Sequence, residues 1–510
     1  MLSISTIIFV AAFIGMTNAG TWCGKSYSEP TNQQPALPNS GVFAVLPPWP
    51  PVDALAVTPR WKPIYETDDS IEFIVDVPSG AIETNIILYF GAGKTHKAHV
   101  HPGVNIIVVS KAKVGVTSTV TALLGSAKAN ATFTIYKRPS SGTSIIVRVD
   151  YMHGSLVHET THDAATTTPG APVFPFGMYV EYEPFATKDP VGAMRELRDM
   201  GINFINIVPP YDARLKAVLE AAKDHSIWVQ YDMRHTYVNA VNITAEVNDV
   251  KSYESVISWY TSDEPDGELT TSEPRNSINA YNTVNSIDPH RPTMLVLNCM
   301  RSSASLYANA ADILMTDVYP IGISTKACNA KIGCCGCDEC IGDFAIDIRH
   351  RMHSYRSQLA QVGKPRMPIW MVTQAFSDPN TYWSREATPS EFRLISYISL
   401  IHGAKGLLSW IYPGNMSPKL RAIIPTLSAE LVPLGSKFIL GGKQLVEYSD
   451  GKLTAGAWIK DNAKLFVVTN PTYRRVTLTN AQIKAIFGND DKLIEAGETL
   501  PALAIRIITT

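Results

Sequence analysis

The residues with the clearest chemical capacity lie in one stretch, Val256-Ile257-Ser258-Trp259-Tyr260-Thr261-Ser262-Asp263-Glu264-Pro265-Asp266-Gly267. A β-branched and aromatic run stops there at two adjacent carboxylates and a turn, the pattern of a buried strand that ends in a tight loop. Asp263 and Glu264 are therefore expected at a strand's carboxyl end, which in a parallel α/β sheet or barrel is where ligands bind. Two carboxyls there suit acid and base catalysis; an Asp before a turn is also ordinary turn chemistry, and a Glu there can cap a loop. What decides between these readings is the company the pair keeps.

The elements around the stretch alternate. Strand-like runs fall at 176–180, 203–208, 227–232, 256–261, 293–298, 312–318, 368–374 and 405–411. Helical stretches separate most of them. Asp189-Pro190 opens one with a cap and a proline at the first helical position, and Asp199-Met200-Gly201 closes it. Residues 211–225 carry Leu215, Val218, Leu219 and Ala222 on one face, and 344–362 form a helix after the sixth strand. Thr388-Pro389-Ser390-Glu391 is a capping box, and Ser417-Pro418 opens a last helix. Eight such units over residues 170–440 predict a (β/α)8 TIM barrel.

A closed barrel would gather Glu181, Asp232, Asp263, Glu264, Asp317, Tyr319, Gln374, Trp410 and Tyr412 around one mouth. Sugars present apolar C–H faces and dense hydroxyls, which aromatic platforms and carboxylate acceptors match. Cleaving the bond between sugars asks for a protonated acid and a second carboxylate. The expected ligand is a carbohydrate, with Glu264 and Asp263 as the catalytic candidates and Gln374, Tyr319, Trp410, Asp317, Asp232 and Glu181 as the binding candidates. Asp317 and Asp232 equally suit structural carboxylates, and Trp410 and Tyr412 equally suit barrel core. No phosphate-cradling glycine loop competes, and His235, His350 and His353 are scattered, so neither a metal nor a cofactor is expected.

Residues 259–265, the run Pro368-Ile369-Trp370-Met371-Val372-Thr373-Gln374 and an eighth strand ending in Ser409-Trp410 together resemble the barrel of clan A glycoside hydrolases, over roughly 176–440. In that clan the acid/base Glu follows strand four, usually as Asn-Glu-Pro; Glu264 matches it, with Asp263 in the place of Asn. Tyr319, in Asp317-Val318-Tyr319-Pro320, is similar to the Tyr after strand six that positions the nucleophile, and Trp410 to the strand-eight Trp beneath the sugar. The resemblance implies cleavage of O-glycosidic bonds in an oligo- or polysaccharide.

One position departs from the clan: its nucleophile is a Glu at the end of strand seven, and this chain has Gln374. A neutral amide carries no charge to stabilise an oxocarbenium-like transition state. Three readings stay open. Asp317, Asp232 or Glu181 activates water opposite Glu264, giving inversion. Asp263 and Glu264 act like the Asp-Glu pair of hexosaminidases that use the substrate's acetamido group. Or the barrel has lost catalysis and binds glycans in the extracellular space or matrix.

The flanks carry no recognisable chemistry. Residues 1–19 are apolar and close on small residues, as a secretory signal does, though without Lys or Arg ahead of the run. Residues 20–58 form a Pro-rich lead. Alternating runs rich in Val, Ile and Thr, the last at 144–149, predict a β-sandwich over 59–165, and similar runs predict a small β-domain over 441–510. Five of the seven cysteines crowd into 328–340, with Cys23 and Cys299 apart; in an exported chain disulfides are the better reading than zinc. Sequons at Asn130 and Asn242 agree with export. With 45% hydrophobic residues and a net charge of −2 over 510 residues, the chain is an ordinary globular protein with no reason to seek nucleic acid or a membrane, and no stretch after the leader is expected to cross a bilayer.

Overall fold

The computed structural model describes residues 20–22, 25–27 and 53–510, apart from 83, 91–93, 111–116, 141–144, 160–171, 268–272, 301–302, 324–339, 380–382 and 496. The leader, most of the Pro-rich lead and Cys23, Cys328, Cys334, Cys335 and Cys337 lie outside the described residues.

The centre of the chain is a closed barrel of eight parallel strands in sequential order. They are β1 (Phe176–Glu181), β2 (Phe204–Val208), β3 (Trp228–Asp232), β4 (Val256–Asp263), β5 (Thr293–Leu297), β6 (Ile313–Asp317), β7 (Ile369–Gln374) and β8 (Leu407–Tyr412). Nearly every residue in them is buried, because a parallel strand is covered on both faces, and this is why each reads as an unbroken apolar run. The barrel's interior is packed rather than open: Phe204 and Trp370 meet edge to face at 5.1 Å, and Asn206 donates to Gln230 at 2.8 Å. Gly406 lets Trp370 in, since a Cβ there would stand 2.5 Å from the indole.

The surrounding helices begin where local chemistry predicts. Asp189 caps α1 (Pro190–Asp199) by accepting from the Gly192 amide at 3.0 Å, and Thr388 and Glu391 form the capping box of α7 (Pro389–Ile401). On α2 (Leu215–Asp224) the buried face is Leu215, Val218, Leu219 and Ala222. Asp343 caps α6 (Phe344–Gln361), and Ser417 caps α8 (Pro418–Leu434). Contrary to expectation, one later segment, 418–439, is long and apolar enough to cross a membrane. Here Leu420, Ile424, Leu427 and Leu431 of that helix are buried in the barrel's core.

Before the barrel, the last of the expected β-runs departs from the sequence reading. A three-stranded and a five-stranded sheet before the barrel share an apolar core that includes Phe73, Val75, Leu88, Val120 and Phe133. The run at 144–149 is not in it. Strand Ile146–Asp150 pairs with Ser155–Glu159 on one side and with Trp61–Lys62 on the other. Val147, Val149 and Leu156 join Phe204, Ile257 and Trp370 in one cluster, so this small sheet closes the barrel's amino-terminal end. After the barrel, Lys443–Ser449, Thr454–Lys460, Ala463–Thr469 and Ile505–Thr509 form a four-stranded sheet, in which Trp458 and Val467 join the barrel's core cluster.

Candidate active site

The carboxyl end of the barrel holds a cavity of about 640 Å³. Its wall includes Tyr179, Glu181, Arg234, Asp263, Glu264, Asp317, Tyr319 and Trp410, joined by Phe376, Asp378, Trp383 and Asn415 from the loops after β7 and β8. Six of the eight sequence candidates, Glu264, Asp263, Tyr319, Trp410, Asp317 and Glu181, therefore meet in one place.

Glu264 occupies an unusual piece of backbone. The pairing of β4 with β5 loses its regular register between Tyr260 and Asp263, and the next residue turns into the left-handed region with φ +46°. A non-glycine residue there costs roughly 1–2 kcal/mol, so the surroundings must hold it. They do so through the Glu264 amide, which donates to Val296 O at 3.2 Å, and the Gly267 amide, which donates to Glu264 O at 3.1 Å. Asp266 anchors the turn by accepting from the amides of Asn298 at 3.1 Å and Cys299 at 2.8 Å. The Asn298 side chain then donates to Glu264 Oε2 at 3.3 Å. Strain of this kind gathers at functional positions.

Two carboxyl clusters share the cavity's base. In the first, Arg234 donates from Nε and a terminal nitrogen to Asp232 Oδ2 at 2.9 and 2.7 Å, and from its other terminal nitrogen to Asp263 Oδ2 at 2.7 Å. The guanidinium packs against the rings of Trp410, Tyr260 and Tyr179 at 5.4, 5.6 and 5.7 Å. Burial works against its charge, but Asp263 and Asp232 together hold it fully protonated. Burial also lifts Asp232 to about 6 in spite of its partner. Tyr260 completes the cluster by donating to Asp263 Oδ1 at 2.5 Å.

In the second cluster Glu264 stands against Asp317, close enough to give it a hydrogen bond when protonated. Burial first, and then the charge of Asp317, push the Glu264 carboxyl well above the usual range. Burial lifts Asp317 to about 6, while the proton from Glu264 and the charge of Arg351 work the other way. Asp317 is 2% exposed, and apart from the proton that Glu264 can offer, its Oδ1 has no hydrogen-bond partner among the described residues. Arg351 spends its own donor on Thr316 Oγ1 at 3.0 Å and on the Asp317 backbone oxygen at 3.1 Å. Burial and the neighbouring Asp317 thus both favour the protonated form of Glu264, the direction a general acid needs.

Two candidates sit elsewhere. Asp232 lies beneath the cavity, where it holds Arg234. Gln374 is completely buried and outside the wall: its Oε1 accepts from the Ile321 amide at 2.9 Å and its Nε2 donates to Ile321 O at 3.0 Å. Its amide therefore ties β7 to the loop after β6. Tyr412 also turns away, donating to Glu196 on α1.

Sequence reasoning passed over Arg234, Asn298, Phe376 and Trp383. The strand-end position of Arg234, two residues after Asp232, was a usable signal; the other three lie in loops whose path the sequence does not give. Tyr319, Phe376 and Trp383 pack edge to face at 5.1–6.2 Å and form the aromatic side of the cavity, with Trp383 Nε1 donating to Tyr319 O at 3.1 Å.

The described residues also contain a group of three suited to holding a metal, His353, His402 and Glu447, between the barrel's helices and the last sheet, remote from this mouth. Glu447 is bound there by Arg356 at 2.8 Å as well as by both histidines.

No protein-family model matches the chain, and no curated protein matches it. Among solved structures it is similar to a β-D-glucuronidase from Dictyoglomus thermophilum, 13% identical over 74% of this chain and 69% of that one, with a TM-score of 0.39. It is similar also to a GH2 β-galacturonidase from Eisenbergiella tayi bound to galacturonate, 12% identical over 74% and 72% with a TM-score of 0.39. A third is a β-glucuronidase from Ruminococcus gnavus in complex with D-glucuronic acid, 11% identical over 74% and 68% with a TM-score of 0.37.

Proposed function

We propose that the chain is a glycoside hydrolase that cleaves O-glycosidic bonds of an oligo- or polysaccharide, with Glu264 as general acid. The observation that carries this reading is a carboxyl beside Asp317, its proton affinity raised by burial and by that neighbour, in the wall of a cavity that also offers aromatic faces and further carboxylates. Gln374 supplies no nucleophile, and Asp232 and Asp263 are engaged by Arg234. Asp317 is in contact with Glu264 itself, leaving no room for a water between them.

Glu181 remains. It lines the cavity, forms no ion pair with a described residue, and ends a strand three places around the ring from β4. In the reaction we propose, Glu264 gives its proton to the glycosidic oxygen as the bond to the leaving sugar breaks. Glu181 takes a proton from the water that attacks the anomeric carbon from the other face. The anomeric configuration inverts, and exchange with solvent restores both groups. This mechanism expects the two carboxyls roughly 6.5–9.5 Å apart.

The test follows a hydrolysed substrate by proton NMR. The first product anomer should have the opposite configuration to the substrate, and both Glu264→Gln and Glu181→Gln should abolish turnover. Retention, or full activity in the Glu264 variant, would remove the mechanism. A second reading, a glycan-binding protein without catalysis, is favoured by the tying down of Gln374 and Asp232; glycan binding with no hydrolysis by the unaltered chain would establish it.

Export belongs to the same proposal. Cys299 and Cys340 are each half of a disulfide, and Asn130 and Asn242 of the two sequons are exposed. Intact mass and amino-terminal sequencing of protein recovered from a secreting host should show a chain lacking residues 1–19 and carrying glycan.

A further inference from the structure

The proposed reaction leaves one group of side chains unused, where the barrel meets the last sheet. His353 stands in the middle of α6, His402 caps the carboxyl end of α7, and Glu447 comes from the strand Lys443–Ser449. Because α7 ends just before β8 begins, the group lies toward the amino-terminal end of the strands, away from the mouth. In the sequence 94 residues separate His353 from Glu447 and 45 separate His402 from it, too far for a ligand motif to show. The fold nevertheless brings one ligand atom of each within 4.8 Å of the others. Both rings turn a nitrogen to the same oxygen: His402 Nδ1 lies 2.8 Å from Glu447 Oε1, and His353 Nε2 touches it too.

Two imidazoles and a carboxylate are a donor set that zinc takes with its fourth position open. Bonds of about 2.0–2.1 Å place the ligand atoms of a tetrahedron roughly 3.4 Å apart, so these three need to part by only about 1 Å or less. The carboxylate is already aimed. Arg356 donates to Glu447 Oε2 at 2.8 Å and so holds Oε1 toward the histidines, as a partner behind a metal ligand does. Nothing pins the tautomer of His402 either: its Nε2 has no hydrogen-bond partner among the described residues, so the Nδ1 proton can move there without breaking a bond. The His353 side chain is 37% exposed, which gives an ion a way in and leaves its fourth position to water.

Two charges oppose a cation here, those of Arg356 and of Arg349, which donates to Ser449 Oγ at 3.1 Å. Arg356 is about half exposed, so water and salt screen much of its effect, and the negative carboxyl end of α7 works in the ion's favour. We propose that His353, His402 and Glu447 bind a zinc ion that clasps the last sheet to α6 and α7. The ion bonds to two neutral ring nitrogens and the ionised carboxylate. Each ring's proton shifts to its other nitrogen, so no proton is lost.

The test uses the whole chain, without a histidine tag and stripped by a chelator. Zinc is titrated in against a chromophoric chelator, and cobalt(II) serves as a spectroscopic stand-in. A single zinc should bind with a Kd of about 1 µM or tighter, and cobalt should give the visible bands of a four-coordinate site without a sulfur charge-transfer band. Saturating zinc should raise the melting temperature by a few degrees. Magnesium, which prefers an octahedron of oxygens, should not compete in about hundredfold excess. Losing a ligand should cost at least what losing a partner behind it does, so His353→Ala, at an accessible position, should weaken zinc about tenfold or more and remove the melting shift. Glu447→Gln should do the same, and if it does not fold, His353→Ala decides alone.

No zinc uptake, uptake that magnesium displaces, or a melting shift that survives His353→Ala would overturn the inference. So would a cobalt spectrum dominated by a sulfur band, which would put the ion on cysteines instead.

Discussion

The two carboxyl clusters at the barrel's mouth are built from the same residue types at similar depth, yet they are arranged for different work. Around Arg234, two carboxylates close on one guanidinium walled by three aromatic rings, and all three of its nitrogens donate to a fixed carboxylate oxygen. Around Glu264 no cation of the described residues touches the carboxyl oxygens; burial and the charge of Asp317 strengthen its hold on a proton, which takes the place of a counter-charge. The first arrangement fixes shape, because moving any member strands a buried charge. The second can exchange its proton without rearranging anything, which is what acid catalysis needs. Whether a buried acid serves as scaffold or reagent depends here on what neutralises it.

Substitutions can break that contrast. The largest effect should come from Glu264→Gln, which keeps shape and removes the proton donor: turnover should fall roughly 10²- to 10⁴-fold, while the melting temperature holds or rises because a buried carboxyl is gone. A variant that loses both stability and activity in proportion would place Glu264 with the scaffold instead. Arg234→Met is the converse case. It leaves Asp232 and Asp263 without their cation and should cost about 3–5 kcal/mol in urea unfolding; a loss under about 1 kcal/mol would mean that the cluster is not the scaffold described.

The pH dependence of stability sharpens the comparison further. Asp317 and Asp232 both have folded values raised to about 6 from the ordinary 3.8. A raised acid binds its proton more tightly in the folded state, so its contribution is fully present below about pH 4 and is lost as pH rises through about 6. By neutral pH each has lost on the order of 2–3 kcal/mol of that contribution. Asp317→Asn should remove its share of that slope in melting scans between pH 4 and 7 and leave the share of Asp232; an unchanged slope would mean that Asp317 does not titrate in this range. The smallest effect is expected of Asn298→Ala. Losing the bond to Glu264 at 3.3 Å should cost about 1 kcal/mol or less and lower kcat severalfold with little change in KM.

Much of this arrangement was legible in the sequence, for a definite reason. Parallel strands buried on both faces show as continuous apolar runs, so the eight strands and the strand-end position of Glu264 could be read directly. Direction within a strand end could not. Gln374 and Glu181 both end barrel strands, but one turns into the wall to grip a peptide and the other faces the cavity, and that choice is made by packing with Ile321 and its neighbours. The run at 144–149 looks like the β-runs before it, because alternation reports burial of one face and not the partner that buries it. Arg234 could be placed near the mouth by its strand-end position but not as a buried residue, since a basic side chain past a strand end ordinarily reads as solvated.

The left-handed backbone at Glu264 has an evolutionary corollary. Glycine or asparagine would be at ease at that φ, and an apolar or amide side chain would be at ease in that depth, so selection acting on folding alone has two independent reasons to discard a glutamate there. A library of this chain screened only for resistance to heat should therefore lose Glu264 among its first changes, and the survivors should be the ones without activity.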